Sequence, residues 1–230
     1  MLGVSNFIKS GMLLNVALSS TVFLAGPVSA DTLKVGQVDR VQEQVVASQN
    51  GNRRELENAA PLFFRDKLAS GVGARLEAKL NDGTTLTLGE RGRLMIDDFV
   101  YDPNKQGGRL DLTVTSGAFL FVGGKVEGPT GGNVKINTPV GTLAVRGTTV
   151  WGGPIDGAYG VLVLSGQVDV KTKHGLVALH AGEGTMIYAK SPPMAAHAWP
   201  EGRTKRAVST ITFGEVDPPP RYPAGHITKP

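Results

Sequence analysis

A strand-and-turn phrase occurs twice in this chain, at Leu112 to Gly117 (LTVTSG) and at Val161 to Gly166 (VLVLSG), 49 residues apart. In each copy apolar and β-branched residues run into a Ser-Gly pair, and another strand-like run follows. Between the copies lies Asn137 to Thr149 (NTPVGTLAVRGTT), which sets a single arginine, Arg146, at the end of an apolar strand and just before Gly147. Glycine lacks the Cβ that blocks positive φ, so a glycine at the end of a strand turns the chain cheaply. The 31 glycines of the 230 residues are roughly twice the ordinary share. They fall between short runs of period two, where they mark turns.

Such runs fill the body of the chain. Apolar residues stand at 33, 35, 38 and 41, alternate over Leu76–Leu80, pause at the Asp82-Gly83 turn and resume at Leu86. This is the signature of a hairpin or tight corner. Further runs cover 94–96, 110–114, 120–122, 134–136, 143–145, 161–164, 168–170 and 177–179. Beyond the first 30 residues the best helical pattern is Leu62 to Leu68, and it is short. The pattern implies an all-β domain over 31–190, imperfect β-solenoid-like or sandwich-like, of short Gly-punctuated strands. Periodicity alone does not choose between those two. Residues 191–230 read as a Pro-rich C-terminal tail with one further strand at 208–213, since proline removes backbone donors and favours open conformations.

The first 30 residues read as a cleavable export signal. Lys9 and the amino terminus give a positive start, an uncharged stretch runs from Gly11 to Ala25, and Val28-Ser29-Ala30 forms a small-residue cleavage site before Asp31. The stretch of about 15 residues is short of the roughly 20 that span a bilayer. The expected location is the periplasm or outside the cell, with no stable membrane insertion after cleavage.

The chain has no cysteine, which removes thiol catalysis and thiolate metal sites. Its net charge of +4 is spread out, with Arg203, Lys205 and Arg206 the densest basic group and Arg53-Arg54 next. A nucleic-acid surface shows a concentrated basic stripe with aromatics, so no nucleic-acid partner is expected. Asp97, Asp98 and Asp102 lack the spacing of a calcium loop. The four histidines are too far apart for a helical metal pair. Gly128 to Asn133 lacks the Lys-Ser/Thr ending of a phosphate loop, and no Gly-x-Ser-x-Gly elbow is present. No catalytic residue, metal or cofactor is expected.

Two readings compete for Arg146. Its guanidinium grips a partner carboxylate, or its five donors tie off loose carbonyls between adjacent strands, which is the simpler role. Phe119, Phe121, Trp151 and Tyr159 are candidate contact aromatics if exposed, and core residues if not. Phe119 and Phe121 share one strand face, opposite Leu120 and Val122.

Several phrases in order resemble the FecR family of periplasmic β-domains, from about Val35 to about Trp199. They are 70–76 (SGVGARL), 81–89 (NDGTTLTLG), 99–103 (FVYDP), 116–119 (SGAF), Thr138-Pro139 through Arg146-Gly147-Thr148, 163–168 (VLSGQV) and 182–185 (GEGT). The signature positions are Asp82, Gly83, Ser116, Gly117, Thr138, Pro139, Arg146, Gly147, Thr148, Ser165 and Gly166. The resemblance implies a twisted, imperfect solenoid that works by protein contact. The best-known members relay iron-uptake signals through a cytoplasmic sigma-factor-binding segment and one membrane helix. This sequence shows an export signal in place of that segment and no spanning helix, so the resemblance implies the domain and its contacts and not iron regulation. The expected function is a non-catalytic protein-interaction or signalling-adaptor module with an envelope protein as partner. A cell-wall or polysaccharide-binding β-domain is the alternative, with a wall glycan as ligand.

Overall fold

The computed structural model describes residues 33–105, 107–128 and 133–214. The export signal, its cleavage site, the centre of the 128–133 turn and the tail beyond Gly214 lie outside these residues.

Sixteen strands form one sheet. In chain order they begin with β1 (Lys34–Gln42), β2 (Val45–Gln49), β3 (Asn52–Glu55), β4 (Pro61–Phe63), β5 (Lys67–Ser70), β6 (Arg75–Leu80), β7 (Thr85–Leu88) and β8 (Arg93–Tyr101). They continue with β9 (Gly108–Ser116), β10 (Phe119–Val122), β11 (Val134–Thr138), β12 (Gly141–Ile155), β13 (Ala158–Thr172), β14 (Leu176–His180), β15 (Glu183–Ile187) and β16 (His197–Ala198). A nine-residue helix, α1 (Glu201–Ser209), follows. All pairings are antiparallel except β9 with β11.

The long hairpin of β12 and β13 divides the sheet into two wings. The first half of β12 pairs with β11, and its second half with β10. In the same way β13 pairs first with β15 and then with β14. Wing A therefore runs β3-β2-β5-β8-β9-β11-β12-β13-β14, and wing B runs β4-β1-β6-β7-β10-β12-β13-β15-β16. The chain crosses between wings at two rims. On the first rim lie the crossings at Glu43, Gly73, Arg91 and Gly117, and on the second those at Arg65, Gly147, Gly166 and Gly182, all with positive φ.

The inward faces of both wings share one core. Leu94, Ile96, Leu110 and Leu112 of wing A and Leu76, Leu86, Leu88, Phe119 and Phe121 of wing B are buried in it. Period two produces this result, because each strand turns alternate side chains inward. The architecture is all-β, as the sequence implies: one curled open sheet whose two wings face each other across the core.

The Ser-Gly phrases mark those crossings. Ser70 Oγ donates to the Gly89 carbonyl at 2.5 Å and accepts from Gly92 N–H at 2.8 Å. Ser116 Oγ donates to the Arg91 carbonyl, and Ser165 Oγ accepts from Thr149 N–H. Each serine satisfies backbone groups that a crossing strand leaves without a ladder partner.

Two expectations are corrected. Residues 62–68 are not helical: β4 ends at Phe63 and β5 starts at Lys67, with Arg65 at φ 64° between them. Asp66 holds this turn by accepting from Phe63 N–H at 2.7 Å and pairing with Arg54. Residues 208–213 do not form a strand, since α1 runs to Ser209 and a turn follows. Pro200 caps the helix start with φ −57°, Glu201 sits in the first turn and Arg206 in the last, as the helix dipole favours.

The helix lies on the outer face of wing B. Ala207 and Ile211 pack with Ala118, Trp151, Leu162, Met186 and Trp199 in a second buried cluster. Trp151 meets Trp199 edge to face at 6.0 Å. Gly160 and Gly184 leave the space that Trp199 fills, for a Cβ at either would overlap its indole. Arg203 and Arg206 both bond Asp156 in the β12–β13 turn, at 3.0 and 2.9 Å, and hold its carboxyl below the usual range. Most of the densest basic cluster is thus consumed in docking the helix.

Candidate contact site at the second rim

At the second rim, two carboxylates organise the family signature. Asp82, buried in the β6–β7 turn, accepts from Thr84 N–H at 3.0 Å through Oδ1. Its Oδ2 accepts from the Thr84 hydroxyl at 2.7 Å and from Val126 N–H at 3.0 Å. The single 3-10 turn at Lys125–Glu127 is thereby fixed to wing B. Glu127, also buried, reaches back and accepts from Gly147 N–H at the crossing of β12. Gly123 and Gly124 make room for both, since a Cβ there would overlap the Glu127 and Asp82 carboxylates.

At this corner Gly147 and Gly166 both depend on the freedom of glycine. Both have positive φ, 59° and 79°, and a Cβ on Gly166 would strike the Gly147 carbonyl. Thr148 completes the corner: its single hydroxyl proton is shared between the Arg146 and Gln167 carbonyls, and Arg146 N–H donates to the same oxygen at 3.1 Å. The backbone of Arg146 is held tightly while its side chain stays exposed.

Burial pushes the Glu127 carboxyl above the usual range, with the bonds from Gly147 and Thr148 partly offsetting it and the Asp82 charge adding to it. A carboxyl whose folded pKa is raised stabilises the fold most when protonated, and that contribution is lost as pH rises through the folded pKa. Its Oε1 has no hydrogen-bond partner and is the oxygen free to carry the proton. Glu127→Gln keeps an acceptor for Gly147 and removes the buried charge. It is expected to match or exceed the native stability at pH 7, with the difference shrinking as pH falls toward 4 in urea titrations. Glu127→Ala leaves Gly147 N–H unpaired and costs about 1–3 kcal/mol.

The structure brings Asp82, Gly83, Arg146, Gly147, Thr148, Ser165 and Gly166 together at the second rim. Ser116 and Gly117 lie on the first rim, and Thr138 and Pro139 start the β11–β12 turn at its far end. Thr138 Oγ1 donates to the Gly141 carbonyl at 2.8 Å, so this pair shapes a turn. Glu127 was missed from sequence; the Gly123-Gly124 pair is the one signal that a bulky polar group sits close by.

The simpler role for Arg146 is corrected. Among the described residues its guanidinium makes no hydrogen bond or ion pair, so it ties off no carbonyls, because Thr148 already does so. It projects from the outer face of wing A, with Ala144 and Lys135 exposed on the same face. The contact-aromatic reading is corrected as well. Phe119 and Phe121 point into the core, Trp151 is buried under α1, and Tyr159 is 9% exposed. Burial pushes the Tyr159 phenol above the ordinary tyrosine range. In the acidic cluster, Asp98 pairs with Arg109, and Asp102 accepts from Asn104 N–H.

Wing A thus has an open outer face, whereas α1 covers part of the outer face of wing B. Lys67, Arg93, Thr115, Lys135, Ala144 and Arg146 are exposed across wing A. No helix of the described residues is long and apolar enough to cross a membrane.

No curated protein matches the chain. Two crystal structures of a candidate anti-sigma factor from Parabacteroides distasonis are similar, at 16% and 15% identity with TM-scores of 0.49 and 0.47. Each match covers 60% of this chain, which spans 62% of the length of those relatives. Residues 66–169 match the family described as FecR protein, a narrower span than the phrases suggested but one containing every signature position. Over residues 66–169 the chain is therefore similar to the FecR protein family.

Proposed function

We propose that this protein is a non-catalytic contact module of the cell envelope, a signalling adaptor that meets an envelope protein through the outer face of wing A. The N-terminal segment exports it to the periplasm or beyond. The observation that carries the reading is Arg146: its backbone is fixed by Thr148 and Glu127, yet its guanidinium is exposed and unpaired among the described residues. With its backbone already fixed, only the side chain must be ordered when the guanidinium grips a carboxylate in a two-pronged pair, and arginines are enriched among interface anchors. The glycan alternative requires aromatic platforms, and the four aromatics best placed by sequence are buried.

The test is crosslinking of the tagged protein in its native envelope, followed by binding measurements with the protein captured. Arg146→Ala is expected to fold normally, because no internal bond is lost, and to bind that partner about 10- to 100-fold more weakly. Native affinity in Arg146→Ala, or recovery of wall fragments alone, would sink the proposal.

A further inference from the structure

Four strands end the sheet, and they are not alike. An exposed edge offers unpaired N–H and C=O groups to any other strand, and proteins blunt edges with charge, proline or shortness. The β3 edge carries Arg53, Arg54 and Glu55. The β4 edge has three residues and starts with Pro61. The β16 edge has two residues, with Pro200 close behind. The β14 edge has five residues, Leu176 to His180 (LVALH), with no acid, lysine, arginine or proline. It pairs with β13 alone among the described residues, and Leu176 is 65% exposed.

We propose that β14 joins two copies of this chain, pairing antiparallel with the β14 of a second copy about a two-fold axis through Ala178. The backbone phase fits. His180 N–H donates to the Glu183 carboxylate at 2.8 Å and not to β13. By alternation the N–H and C=O groups of Leu176, Ala178 and His180 face outward, while those of Val177 and Leu179 face β13. Centring on Ala178 therefore sets an outward-facing residue against itself, the position where two antiparallel strands exchange both bonds. Its small side chain allows close approach. Leu176 falls opposite His180; because Glu183 already takes the His180 N–H, this pair is joined by the Leu176 N–H and the His180 carbonyl alone, and no like charges face each other within the strand.

The ends of the edge carry opposite charge. Lys173 lies just before β14 and Glu183 just after it, both outside its five residues. Antiparallel pairing brings the Lys173 end of each copy toward the Glu183 end of the other, so the match occurs twice. An edge with this polarity complements a second copy of itself, as an isologous contact demands. This inference does not depend on wing A binding an envelope protein.

Sedimentation velocity on the purified protein, from about 1 to 300 μM, tests it in the range where small interfaces dissociate. The native protein is expected to shift from monomer to dimer with concentration. Ala178→Pro removes an outward donor and no bond to β13, and edge strands tolerate such a proline. Ala178→Lys places two ammonium groups on the axis, and its neighbour in register within the chain is Asp169, a compatible partner. Both variants are expected to keep the native circular dichroism and to weaken the dimer at least tenfold. A native protein that stays monomeric throughout, or variants that dimerise like the native protein, would overturn the proposal. So would a crosslinker at position 178 that captures only a different protein.

Discussion

Trp151→Ala is expected to lower the unfolding free energy by about 3–5 kcal/mol, the usual range for deleting a large buried aromatic. Its indole is fully buried although it points away from the main core. It fills the space between β12 and α1, meets Trp199 edge to face, and donates from Nε1 to Thr210 Oγ1 at 3.1 Å. Removing it leaves a cavity that the rigid sheet cannot close from below. The helix is then held mainly by Ala207, Ile211 and the exposed Asp156 pairs, and exposed ion pairs contribute little. Hydrogen exchange should therefore accelerate first in 201–211, and Trp151→Phe should recover part of the loss. Urea unfolding with a loss under 1 kcal/mol would show that α1 is not anchored by this side chain.

Asp82→Ala is expected to cost about 3–5 kcal/mol, because it leaves two backbone donors and one hydroxyl without their acceptor in a buried turn. For a domain of this size that is on the order of 10 °C in melting temperature. The damage should spread beyond the β6–β7 turn. Val126 N–H is one of the orphaned donors, and Glu127 next to it holds the Gly147 crossing. Asp82→Asn separates the contributions. Its amide oxygen can keep Thr84 N–H, but its NH₂ group would face Val126 N–H, donor against donor. An intermediate loss is expected, and calorimetry on the two variants checks the order.

Much of this fold was legible because period-two alternation is local. Each of β6, β8, β9 and β10 could be read from a few residues, and Ser116-Gly117 and Ser165-Gly166 did mark places where the chain changes wing. The pairing of strands was not legible, because β10 meets β7 on one side and the distant second half of β12 on the other. The run from Val208 to Phe213 misled for a related reason. Its β-branched residues suit a strand, but the helix and the turn that follows it bring Ala207 and Ile211 to Trp151, far away in sequence. Trp151 itself alternates outward, and nothing near it reveals that a later segment covers that face. At the candidate site, Arg146 and Gly147 stood out in the sequence. The exposure of Arg146 depends on Thr148 and Glu127 satisfying its surroundings, and the second of these lies 20 residues from the Gly147 it binds, with no motif of its own.

The most direct test of how this module makes contact places a photo-crosslinking residue at either of two exposed positions in cells. Ala144 reports on the outer face of wing A, and Lys205, on the helix, reports on wing B. The proposed contact surface requires capture of one specific envelope protein from position 144 and none of it from position 205. Capture of that protein from 205 alone, or equally from both, would contradict the assignment of wing A as the contact face.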